Sequence, residues 1–144
     1  MSGFFKRYVH ERNYGCRIKE YMYKGLRTVT LENELIRVSI LVDKGTDIFE
    51  FLYKPEDMDF MWHSFNGIRP QTTYIPTVQH SGGPFLDYYE GGWQELFPNI
   101  SDPCEYMGAP LGIHGEVCLL PWQYCIESDS PDEISVRFRV RTVR

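Results

Sequence analysis

Between Glu34 and Val42 the chain reads ELIRVSILV, with apolar and polar side chains taking turns residue by residue. Ile36, Val38, Ile40 and Val42 fall on one side, Arg37 and Ser39 on the other, the two-residue period that gives an extended strand one apolar face. The same period returns near the end of the chain, where Ile134, Val136, Phe138 and Val140 point inward and Glu133, Ser135, Arg137, Arg139 and Arg141 outward. Turn-forming DKGT at 43–46 separates the first strand from DIFEFLY, which resumes the alternation until KPED breaks it. An antiparallel meander follows, and the expected fold is all-β.

The middle of the chain obeys a different rule. After MDFMWHS the periodicity is lost until IHGEVCLL, and the interval holds Gly67, Pro70, Pro76, Gly82, Gly83, Pro84, Gly91, Gly92, Pro98 and Pro103. Glycine and proline both interrupt helical backbone, so this is loop and short strand rather than helix. PFLDYYEGGWQ has room for one helical turn, which Gly91 and Gly92 would end. Long irregular segments inside a compact domain are uncommon and often functional, which directs the search for a site to residues 91–122.

A chain of 144 residues with no internal repeat and no linker reads as one domain, 1–144, with residues 1–25 a leader that packs on the sheet or runs extended. Its net charge of -5 argues against a phosphate-backbone partner, and the arginines of VRFRVRTVR alternate with apolar residues as on the solvent face of a strand, so no nucleic acid is expected. No apolar run is long enough for a signal peptide or a membrane span. Cys16, Cys104, Cys118 and Cys125 lack the close pairing of a zinc ribbon or a redox C-x-x-C. Free thiols in a reducing, cytoplasmic compartment are the expectation.

The HGE at 114–116 matches the H-x-E that opens the zinc deaminase signature, but Pro121 is followed by WQYC rather than C-x-x-C, which excludes that class. A looser metal set of His80, His114, Glu116 and Cys118 has unspecific spacing. No nucleophile elbow and no phosphate-cradling glycine motif is present. What remains is polar chemistry at His114, which either trades protons and holds a hydroxyl or staples its own loop. Trp93 is placed for ligand contact, whereas Trp122 reads as a core anchor. Gln94, Glu95, Asn99 and Glu116 are either hydroxyl partners or simply solvated. His63 and His80 read as structural or solvated, and His10 as solvated.

These residues carry a family resemblance. ENELIRVSILVDKGTDIFEFLYKPEDMDFMW resembles the opening strands of aldose 1-epimerase (galactose mutarotase)-like proteins, and GGWQELFPN and GIHGEVCLLPW look like the two motifs that follow, covering roughly residues 26–143. The resemblance implies an antiparallel β-sandwich of the supersandwich type and a monosaccharide or sugar phosphate as ligand. It also implies anomer interconversion by acid/base ring opening, with no cofactor and no metal. His114 matches the sugar-contacting histidine, so it is the expected catalytic residue, with Trp93 stacking on the ring and Gln94, Asn99 and Glu116 binding hydroxyls. The arginine many mutarotases carry after an FP segment has no counterpart, since Asn99 follows Pro98. Members of the family are longer, with a general-base glutamate and a second histidine further along. The chain is therefore expected to be an amino-terminal portion of such a sandwich, whose open edges would favour self-association. A non-catalytic carbohydrate-binding or structural β-domain is the alternative.

Overall fold

The computed structural model describes residues 12–75 and 83–143. Five strands, β1 (Arg17–Tyr23), β2 (Leu26–Glu32), β3 (Ile36–Leu41), β4 (Asp47–Tyr53) and β5 (Met58–Asp59), form one antiparallel sheet in sequence order. The described part of the leader thus joins the sheet as its first strand. Further along lie one helical turn, α1 (Pro84–Asp87), a small hairpin of β6 (Cys104–Tyr106) and β7 (Ala109–Leu111), and a second hairpin of β8 (Gln123–Asp129) and β9 (Ile134–Arg139). The architecture is all-β and antiparallel, as the alternation predicts. β9, the clearest strand in the sequence, has β8 as its partner.

Cross-strand partners share a face, so the register sorts the sheet into two surfaces. The row Ile18, Leu31, Val38, Phe51 belongs to one of them. Here Ile18, Val29 and Val42 are buried, with Tyr124, Ile134, Val136 and Phe138 of the second hairpin packed on them. Each fully buried aliphatic side chain contributes about 1.5–3 kcal/mol, so the alternation of β3 and β9 is converted directly into this core.

The opposite surface is polar, and its centre is buried too. Its row Lys19, Thr30, Ser39, Glu50 leaves Thr30 and Ser39 only 2% and 1% exposed. They lie in a line of hydroxyls: Tyr21 donates to Thr30 (3.1 Å), Thr30 to Ser39 (2.8 Å) and Ser39 to Glu50 Oε2 (2.6 Å), which also takes the Arg37 guanidinium. That direction follows because a carboxylate can only accept. One row further along, Glu32 meets Arg17, Lys19 and Lys54 at 3.1, 2.9 and 2.7 Å. Burial alone would raise its pKa, but Lys54, Lys19 and Arg17 bring it down to about 2.

Candidate functional site

The irregular segment is fastened by backbone bonds at three places. Trp93 exchanges hydrogen bonds with Ile48 (2.9 and 3.0 Å), which fixes Gly91–Gln94 against β4, while Gly92 N–H donates to Trp62 O at 2.7 Å. Gly45 N–H donates to Leu120 O (2.9 Å) and Trp122 N–H to Val42 O (2.9 Å), pinning the far end to the turn after β3. Between them Phe97 and Gly115 form a parallel bridge, and Phe97 O accepts from Glu116 N–H at 2.9 Å. Gly115 has φ +74, and a Cβ there would overlap the Phe97 carbonyl oxygen. That position therefore needs glycine, which is the physical content of the G after H in HGE.

His114 is half-buried with φ +60, a left-handed backbone uncommon for a side chain of this size. Its N–H donates to Ser101 O (3.0 Å) and its Nδ1 bonds Ile100 O (3.0 Å). A carbonyl only accepts, so Nδ1 carries the hydrogen and Nε2 holds the lone pair of the neutral ring. Nε2 has no hydrogen-bond partner among the described residues. Phe85 of α1 meets the imidazole edge to face, 4.5 Å between centroids, and itself stacks on Tyr89 at 5.4 Å.

The other expected residues separate into two groups. Asn99 and Glu116 are drawn to His114 by the Phe97–Gly115 bridge. Asn99 Nδ2 donates to Gly112 O (2.9 Å), Asp102 O (3.1 Å) and Ser101 O (3.4 Å), and its Oδ1 is buried with no donor among the described residues. Glu116 is 7% exposed and accepts from Val143 N–H at 2.6 Å. Trp93 and Gln94 lie at the β4 fastening instead. Trp93 is 56% exposed, and Gln94 Nε2 donates to Gly91 O. Trp122 is half-buried with Nε1 bonded to Val117 O (2.9 Å), in keeping with an anchor. His63 lies 3.5 Å from Asp59; His10 and His80 fall outside the described residues. A cavity of about 640 Å³ is lined by Phe85, Leu111, Ile113, Glu116, Leu119 and other residues, mostly apolar; Ile113 and Gly115 belong to the lining, and His114 and Asn99 do not.

Sequence reasoning missed a buried charge cluster. Lys44 is ion-paired with both Asp47 and Glu90, and the three are 2%, 0% and 1% exposed. Burial works against the Lys44 charge, yet Asp47 and Glu90 hold its ammonium above the usual value. For Asp47 burial leads and the Glu90 charge adds to it, so that despite Lys44 its carboxyl is pushed well above the carboxylate range. One cation thus faces two carboxyls, and burial together with the Glu90 charge disfavours the charged form of Asp47. Cys118 lies beside them, its thiol pushed to about 11 by burial and by Asp47, which makes it inert as a nucleophile. DKGT reads only as a turn before the DIFEFLY strand, and no periodicity distinguishes a turn that is solvated from one that is buried by another segment.

Cys16, Cys104, Cys118 and Cys125 are free thiols. Among the described residues no three His, Cys, Asp or Glu are grouped to hold a metal ion, and no helix is long and apolar enough to cross a membrane. Compared with known proteins, the chain matches no family model, no curated protein and no solved structure.

Proposed function

We propose that the chain is a carbohydrate-binding domain of the aldose 1-epimerase kind, built on a mutarotase-like β-sandwich, in which His114 contacts a monosaccharide and moves a proton at its anomeric centre. The observation that carries this reading is the state of His114. Its backbone is held in an uncommon conformation, its Nδ1 is committed to Ile100 O, and its Nε2 has no hydrogen-bond partner among the described residues. Backbone held in a sparsely populated region costs on the order of 1–3 kcal/mol and recurs at functional sites. A ring so oriented presents Nε2 as base when neutral and as acid when protonated. Asn99 Oδ1 supplies a buried acceptor in the same loop cluster, suited to a hydroxyl, and Phe85 an aromatic wall. Trp93 and Gln94, at the β4 fastening, serve such a ligand only if it reaches across the segment.

Anomer exchange takes a proton from the anomeric hydroxyl and gives one to the ring oxygen, so it needs two proton-transfer groups, each contributing about 10²–10⁴ in rate. His114 supplies one of them. Exchange NMR on aldoses and their 6-phosphates, with wild type and His114→Ala, tests the reading. Accelerated exchange that is lost in the variant supports the isomerase. Binding that weakens in the variant without any exchange supports the non-catalytic carbohydrate-binding form. Equal binding and equal exchange in the two proteins refute the role of His114.

A further inference from the structure

A second cavity opens on the polar surface of the sheet, far in character from the His114 loop. It has a volume of about 330 Å³ and is lined by Tyr23, Phe49, Glu50, Asp59, His63 and Glu90 among others. Tyr23 and Phe49 stack at 5.3 Å with an interplanar angle of 6°, forming an aromatic wall. Lys24 Nζ already rests over the Tyr23 ring, 5.6 Å from its centroid, so this wall hosts an ammonium of the protein itself.

The polar groups facing the cavity are mostly acceptors. Glu50 is fixed by Arg37 and Ser39. Asp59 Oδ1 accepts from Phe51 and Met61 N–H, both at 3.0 Å, and its Oδ2 faces His63 at 3.5 Å. Burial would raise the Asp59 pKa, but the Met61 and Phe51 amides and His63 hold it below the usual value, so it is an anion. Glu90 is 1% exposed, and apart from its ion pair with Lys44 its oxygens meet no hydrogen-bond donor among the described residues. A carboxylate has about four acceptor directions. Lys44 uses one of them, which leaves capacity for a further donor. A buried acceptor left open at the floor of a cavity is uncommon in native proteins.

Donor and acceptor arithmetic then selects the ligand. A polyol brings as many acceptors as donors, whereas the lining sets three carboxylates against two donor side chains, Lys24 and His63, of which Lys24 lies over Tyr23 and His63 faces Asp59. An ammonium group brings three donors, no acceptor and a charge suited both to carboxylates and to aromatic faces. We infer that this cavity is a binding site for a small organic amine, its ammonium held by Glu90 and Asp59 and its carbon skeleton against Tyr23 and Phe49. The site is independent of the sugar reading and uses none of its residues.

Benzylamine and benzyl alcohol share a shape and differ in the head group, so amide-resolved NMR titrations with the two test the inference. Benzylamine is expected to saturate at about 1 mM, an ordinary affinity for eight non-hydrogen atoms, with shifts centred on Tyr23, Phe49, Gly67 and Ile68. Benzyl alcohol should bind at least about tenfold more weakly, and Glu90→Gln should weaken the amine by a similar factor. Glu90 is buried beside Lys44, so Asp59→Asn, at an exposed position, gives the decisive variant: a loss of about fivefold or more is expected in a protein that stays folded. His114→Ala should bind the amine as wild type does. Equal binding of the alcohol, no saturable shift, or unchanged affinity in Asp59→Asn would overturn the assignment.

Discussion

The sheet with its hairpin and the segment from Glu90 to Trp122 are held together in different ways. In the sheet, side-chain period sorts residues between two surfaces, and the apolar one is closed by Tyr124, Ile134, Val136 and Phe138. In the segment, regular pairing is confined to the three-residue strands β6 and β7, and the rest is fixed by single backbone bonds, glycines at positive φ and the buried charges of Lys44, Asp47 and Glu90. The difference teaches where precision comes from. A sheet tolerates small changes because many equivalent contacts share the load, whereas a loop held by a few special positions fails at any one of them.

The largest expected break is at the buried charges. Lys44→Met leaves the carboxyls of Asp47 and Glu90 without their cation, and should cost about 3–5 kcal/mol in urea unfolding. A loss below about 1 kcal/mol would mean that water already reaches the cluster. Gly115→Ala comes next, at about 3 kcal/mol, since it adds an overlap with Phe97 O to a left-handed backbone. Gly108→Ala sharpens the point. Gly108 has φ +80 but open space around it, so only the backbone term remains, about 1 kcal/mol.

The Glu32 cluster within the sheet and the Asp47 cluster where the sheet meets the segment should also answer pH with opposite slopes. Glu32 titrates at about 2 instead of 4.5, so the sheet gains stability that is full above 4.5 and lost as pH falls towards 2. Asp47 is raised above its ordinary 3.8, so the folded Lys44–Asp47–Glu90 cluster binds a proton that the unfolded chain releases. That contribution is full below 3.8 and declines as pH rises through the higher folded-state value. Stability measured from pH 2 to 9 should therefore lose its acid arm in Glu32→Gln and its decline above 3.8 in Asp47→Asn. The smallest effect belongs to the exposed pair Arg137–Glu127 of the second hairpin. Arg137→Ala should change stability by less than about 1 kcal/mol, and a larger loss would show that the hairpin depends on more than its apolar side.

Much of the sheet is legible in the sequence, because burial of one face imposes the period that β3, β4 and β9 display. What is not legible is that the centre of the opposite face is buried as well. Ser39 and Arg37 read only as the polar side of a strand, and the pairing of Ser39 with Thr30 and Glu50 reveals the line of hydroxyls. The site divides in the same way. His114, Asn99 and Glu116 are expected from the motifs and the family resemblance, and the Phe97–Gly115 bridge joins the stretches that carry them. Trp93 lies elsewhere because its backbone is spent on Ile48. Asp47 and Glu90 are 43 residues apart in the chain, and Lys44 sits in what looks like an ordinary turn. Such a cluster is a product of tertiary packing and leaves no local pattern to read.

Under the proposed reading the loop cluster around His114, rather than the regular sheet, receives the sugar. Amide-resolved NMR titration with D-glucose and D-galactose tests it directly. The account predicts saturable shifts at Phe85, Asn99, Ser101 and His114 through Glu116, with the β1–β5 amides unmoved and the response lost in His114→Ala. No saturable change in that cluster, or changes confined to the Tyr23–Phe49 cavity, would contradict it.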